Sequence, residues 1–245
     1  MGLSFGFTTP VLDPAQIAEF RATGFLIVRR SLAPPMAATV QRWATEAAAL
    51  PEVSGRQRVH RTQCLKHHGH CLIRAIERLT PFHAGFRQLT QAFSAPAAQL
   101  LGAPAVLLAE KLEYSLPGYP GSSVSRDLDD GWLHYADCFV SVIAGIDDAS
   151  FDGGSLQIAA RRHRDGLQRA LAPLSDADAA VLDYTELRLA PGDLVYLDAG
   201  APYRASTGAR GCRRFRATFN RLAAGDHQVR YYADRHQNEP CEVGC

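Results

Sequence analysis

The chain has almost no charge imbalance: 26 Lys and Arg stand against 25 Asp and Glu. That balance gives no general pull toward nucleic acid or an anionic membrane surface. The short arginine groups (Arg161, Arg162, Arg164; Arg210, Arg213, Arg214, Arg216) read mostly as solvated charge. No apolar run approaches the roughly 20 residues that span a bilayer. The first ten residues have neither a basic n-region nor an apolar h-region, so a cytoplasmic protein without a secretory signal is expected. Gly6 stands where a myristoylation signal carries Ser or Thr, which argues against that anchor despite Gly2. Six cysteines (Cys64, Cys71, Cys138, Cys212, Cys241, Cys245) are few for 245 residues and read as reduced thiols. There is no Gly-x-Ser-x-Gly elbow, no Gly-x-Gly-x-x-Gly and no P-loop, so hydrolase triads and nucleotide-phosphate cradles are not indicated.

What is present is an ordinary globular composition, 47% hydrophobic and 21% charged. Asp13-Pro14 opens a helix that Gly24 ends, since Asp13 can cap free backbone N–H groups and Gly tolerates the left-handed conformation. Phe25–Val28 reads as a strand, Ser31 to about Leu50 as a second helix, and Pro81–Leu101 as a third. A loop-rich excursion is expected between the second and third helices. Beyond Gly102 the texture changes to short β-prone runs: Ala105–Leu108, Phe139–Ile143, Leu187–Leu189, Leu194–Leu197 and Phe215–Phe219. Gly and Pro turns separate them, which argues for a barrel or sandwich. Ser175–Val181 interrupts as a small helix or lid. The expectation is one domain over residues 1–245, mainly β with a helical support layer, in a double-stranded β-helix (jelly roll).

Two stretches carry chemistry. Residues 117–132 read Pro-Gly-Tyr-Pro-Gly-Ser-Ser-Val-Ser-Arg-Asp-Leu-Asp-Asp-Gly-Trp, and residues 198–206 read Asp-Ala-Gly-Ala-Pro-Tyr-Arg-Ala-Ser. Around them lie Gly24–Val28, Glu110–Tyr114, Gly153–Leu156, His163-Arg164-x-Gly166, Pro191–Val195 and the Asn220–Asp234 tail. In order and spacing this frame resembles the phytanoyl-CoA dioxygenase family of Fe(II)/2-oxoglutarate oxygenases, from about Phe20 to Asp234. The resemblance implies a jelly roll acting on small metabolites. Such enzymes hold iron with two imidazoles and a carboxylate, and anchor 2-oxoglutarate on an arginine. Asp127 matches the carboxylate and Arg214 the anchoring arginine. Ser125 and Tyr203 stand at the two imidazole positions, and Ser115 replaces a pocket lysine.

The resemblance leaves two readings. The first is a diverged protein of small-molecule, specialised metabolism whose iron site is degenerate and which needs no cofactor. It would run a metal-free step such as isomerisation or cyclisation, with Asp127, Tyr203 and His134 as acid/base groups and Arg214 as anchor. Equally it would serve as a non-catalytic partner of an active paralogue, or pair with itself as a dimer. The alternative is a dioxygenase using Fe(II) and 2-oxoglutarate with substituted ligands: Asp127, Tyr203 and a recruited imidazole, His134. A separate Cys/His run, Cys64-Leu65-Lys66-His67-His68-Gly69-His70-Cys71, offers zinc- or copper-type ligands. Its spacing matches no standard zinc pattern, and it reads as a loop over the pocket mouth.

Overall fold

The structure is a computed structural model. It describes residues 11–51, 57–65, 70–119, 121, 124–125, 127, 132–149, 152–161, 174–206 and 208–222. Helix α1 (Pro14–Thr23) forms as its ends dictate. Asp13 accepts from the Gln16 backbone N–H at 2.8 Å, and the Gln16 side chain accepts from the Asp13 N–H at 3.0 Å, closing a capping box. Gly24 at φ 87° stops the helix and sends its N–H to the Phe20 carbonyl. Strand β1 (Phe25–Val28) follows. Helix α2 (Pro34–Ala49) begins at its two prolines rather than at Ser31. Helix α3 (Ala84–Leu101) begins three residues after Pro81, because His83 is the cap and accepts from the Phe86 N–H.

The excursion between α2 and α3 is not mere loop. It contains the antiparallel strands β2 (Arg58–Gln63) and β3 (Cys71–Glu77). After α3 come β4 (Ala105–Ser115), a 3₁₀ turn at Trp132–His134, β5 (Phe139–Gly145) and β6 (Leu156–Ala159). Helix α4 (Asp176–Ala180), β7 (Tyr184–Leu187), β8 (Leu194–Asp198), β9 (Tyr203–Ala205) and β10 (Cys212–Arg221) complete the described elements. Two antiparallel sheets result: β1-β8-β5-β10-β4-β3-β2 and β7-β6-β9. The fold is mainly β with helices, as expected.

Period-two alternation along β10 explains the layering. Phe215, Ala217 and Phe219 face the helices, in a core with Phe86, Leu89, Phe93 and Trp43. Phe215 stacks against Phe86 with ring centroids 4.6 Å apart. The opposite face of the large sheet meets the small one through Ile143, Val195 and Leu197 against Leu156, Ile158 and Leu187. The Pro191-Gly192-Asp193 turn locks β8 to β1. Gly192 adopts φ 89°, and a Cβ there would sit 2.6 Å from the Leu32 carbonyl oxygen, so no other residue fits without displacement. Asp193 accepts from the Arg30 and Ala190 N–H groups at 2.9 Å and from Arg29 Nη1 at 2.7 Å.

The cysteines depart from expectation at one position. Cys64, Cys138 and Cys212 are free thiols, but Cys71 is disulfide-bonded. Among the described residues, no helix is long and apolar enough to cross a membrane.

Candidate functional site

The second face of β10 carries Arg214, Arg216 and Thr218, which point between the sheets. Registered pairing fixes their neighbours. Arg214 lies opposite Glu113 of β4, Arg216 opposite Lys111 of β4 and Ile143 of β5, and Thr218 opposite Ser141 of β5. Reading the arginines of this segment as mostly solvated is therefore wrong for these two: Arg214 is 5% exposed and Arg216 4%. Only alternation decides this, since Arg213, immediately before Arg214, faces outward and forms a two-pronged pair with Asp147 at 2.8 Å.

Asp127 and Tyr203 meet in this interior. The backbones of Ser125 and Tyr203 pair as an antiparallel bridge, each N–H donating to the other's carbonyl at 2.9 Å. That bridge sets Ser125 alongside β9. The Tyr203 hydroxyl donates to Asp127 Oδ1 at 2.8 Å. Arg216 Nη1 donates to the same oxygen at 2.7 Å and to the Tyr203 hydroxyl at 2.6 Å. Its guanidinium also lies over the Tyr203 ring, 4.4 Å from the centroid. Asp127 Oδ2 accepts from the Ser141 hydroxyl. Ser141 has one proton to give, so the 2.7 Å contact between Ser141 and Thr218 must be donated by Thr218. Thr218, Ser141, Asp127, Tyr203 and Arg216 thus form one closed network, each member 9% exposed or less.

Beside this network, Glu113 Oε1 lies 3.0 Å from Lys111 Nζ and 3.5 Å from Arg216 Nε. Burial would raise the Glu113 carboxyl, but Arg216, Lys111 and Arg214 hold it down at about 2. Glu113 in turn holds Lys111 above the ordinary lysine range, against burial. Burial pushes the Tyr203 phenol up to about 12, with Arg216 opposing and Asp127 adding to the rise. Arg216 stays firmly protonated: burial disfavours its charge, and Asp127, Glu113 and Tyr203 outweigh it. Arg214 is less satisfied than Arg216, which lacks a hydrogen-bond partner only at Nε. Arg214 Nε and Nη2 are buried and have no hydrogen-bond partner among the described residues. Three cations (Lys111, Arg214, Arg216) face two carboxylates (Asp127, Glu113) here, and Arg214 makes no ion pair with either.

Of the residues singled out in the sequence, Asp127 and Tyr203 come together, and Arg214 shares their interior from the next inward position of β10. His134 ends the 3₁₀ turn, and its side chain lies outside the described set, as do Arg126, His163 and residues 66–69. Among the described residues no group of three or more His, Cys, Asp or Glu could hold a metal. A disulfide-bonded Cys71 is also no thiolate ligand for the Cys64–Cys71 run.

The chain is similar, over nearly its whole length, to known enzymes. No protein-family model matches it. It is 24% identical over 237 residues to a 2-aminoethylphosphonate dioxygenase of an uncultured bacterium, HF130_AEPn_1, covering 93% of this chain and 89% of that one. It is 26% identical over 233 residues to the methylphosphonate hydroxylase of Gimesia maris, covering 93% and 88%. Among solved structures it superposes on the non-heme alpha-ketoglutarate-dependent carbocyclase SnoK of nogalamycin biosynthesis, with a TM-score of 0.72, 13% identity and coverage of 94% and 93%. The similarity is thus to phytanoyl-CoA dioxygenase-like Fe(II)/2-oxoglutarate oxygenases of small-molecule metabolism, and the fold is theirs.

Among the described residues, the side chains that the sequence resemblance sets at the ligand positions offer no imidazole to Fe(II). The imidazole positions present a serine hydroxyl and a phenol, and a phenol binds metal as phenolate, which a group raised to about 12 resists. Both oxygens of Asp127 already accept hydrogen bonds, Oδ1 two and Oδ2 one.

Proposed function

We propose that this protein takes a small anionic metabolite into the oxygenase-type pocket, holds its carboxylate or phosphonate on Arg214, and acts without iron. The supporting observation is the Arg214 guanidinium, 5% exposed, with two nitrogens unpartnered among the described residues, beside a Lys111, Arg216, Asp127 and Glu113 cluster whose charges already balance without it. A buried donor without a partner costs on the order of 1–3 kcal/mol, more when charged, and a two-oxygen anion relieves that cost at two nitrogens together. Asp127 and Tyr203 are committed to each other and to Arg216, so their first role is to hold the pocket's shape. Any turnover is a proton-transfer reaction such as isomerisation or cyclisation, with the Tyr203 phenol as the neutral donor and Asp127 as its partner.

Calorimetric titration of the purified, EDTA-treated protein with 2-oxoglutarate, succinate and simple alkylphosphonates tests this. One of these anions should bind in the absence of metal, and Arg214→Gln should weaken it roughly 10- to 100-fold. Binding only after addition of Fe(II), or binding indifferent to Arg214→Gln, refutes the reading.

The second reading is Fe(II)/2-oxoglutarate hydroxylation with substituted ligands. The near-complete coverage of two curated oxygenases favours it. Stoichiometric iron together with succinate release from 2-oxoglutarate would establish it in place of the first.

A further inference from the structure

We propose that Arg216 is the resident cation of this pocket, a guanidinium standing where the related oxygenases keep their metal. The inference deepens the iron-free reading and rests on it. Arg216 Nη1 bonds at 2.7 Å to Asp127 Oδ1 and at 2.6 Å to the Tyr203 hydroxyl. These two side chains occupy the positions matched to the metal-binding carboxylate and the distal imidazole. One positively charged nitrogen therefore contacts both positions at once, as a bound cation would. The charge balance agrees: the Asp127 carboxylate, 5% exposed, has a full compensating charge supplied from within the chain. The aromatic ring at position 203 adds a face on which the guanidinium lies. Ser125, short and without a basic atom, leaves the guanidinium no rival donor at the first imidazole position.

The consequence concerns the route back to iron. The bridge between Ser125 and Tyr203 keeps the backbone frame of the ligand loops closed, so histidines restored at both positions would face Asp127. They would also face Arg216, which already holds that carboxylate. Restoring the two imidazoles is therefore insufficient, and the arginine must go as well.

Three purified forms test this: the wild type, Ser125→His/Tyr203→His, and the same double variant with Arg216→Leu. Each is dialysed against EDTA and titrated with Co(II) under calorimetry and visible absorption. We expect no Co(II) band in the first two and one equivalent in the third, roughly 100-fold tighter or more. An equal affinity in the double and triple variants overturns the proposal, as does a folded triple variant that takes up no metal. Arg216→Lys in the double background covers the case in which the triple variant does not fold. It keeps a cation in place and should stay metal-free, and metal uptake there overturns the proposal. The wild-type melting temperature should be the same with EDTA and with excess Co(II), and a stabilising shift of several degrees also overturns it. The Arg214 titration is read on wild-type protein with anions, so its failure is distinguishable from failure here.

Discussion

Replacing Arg216 by Met removes the charge and both hydrogen bonds while keeping a long apolar stem in β10. Asp127 is then left 5% exposed, with only the Ser141 and Tyr203 hydroxyls to stabilise it. Breaking one side of a buried ion pair costs about 3–5 kcal/mol. For a chain of this size each kcal/mol moves the melting temperature by about 2–4 °C, so a fall of roughly 6–20 °C is expected. The loss belongs to the stranded carboxylate, not to the arginine as such. Removing both charges, as in Asp127→Leu/Arg216→Met, should therefore recover much of it, leaving the double variant at least about 2 kcal/mol more stable than the sum of the single effects. Urea unfolding at pH 7 of the wild type, both single variants and the double variant closes the cycle. A single-variant loss below about 1 kcal/mol, or additive losses, would refute the view that Arg216 and Asp127 form one buried unit.

Other outcomes follow from the same geometry. Glu113 is held at about 2, below its ordinary 4.5, so its contribution is fully present above about pH 4.5 and lost as pH falls toward 2. Glu113→Gln should flatten the acid limb of a stability–pH curve in that window; parallel curves for the two proteins would remove the assigned pairing. Tyr203→Phe leaves an Arg216 N–H and an Asp127 lone pair short of a partner and should cost about 1–3 kcal/mol in urea unfolding, with anion binding at Arg214 retained. Phe86→Ala opens a hole beneath Phe215 in the helical core and should cost about 3–5 kcal/mol by the same measurement.

Much of the frame was legible because short-range chemistry determines it. Asp13-Pro14 and Gly24 bound α1 through backbone hydrogen bonding that any helix end requires. The Pro-Gly-Asp turn announces itself by a φ that only glycine accepts easily. Strands β2 and β3 escaped notice. Arg58-Val59-His60-Arg61-Thr62-Gln63 shows no apolar alternation, and its strand character comes from pairing with β3. At the site, Asp127, Tyr203 and Arg214 could be found by matching loops. Arg216 could not, because a match of ligands says nothing about a position the ligands do not use. The signal was nevertheless present: Phe215, Ala217 and Phe219 mark the helical face of β10, so Arg214, Arg216 and Thr218 must share the other.

The bond between Arg216 and the Asp127–Tyr203 pair has an evolutionary consequence. An imidazole at position 203 beside a retained guanidinium loses the phenol's hydrogen bond and gains a crowded cation as its neighbour. Loss of the guanidinium alone strands a carboxylate. Each single replacement thus costs stability before a compensating substitution can restore it. On the iron-free reading proposed above, the cluster would act as a ratchet, free to refine the three side chains it joins but not to exchange them one at a time.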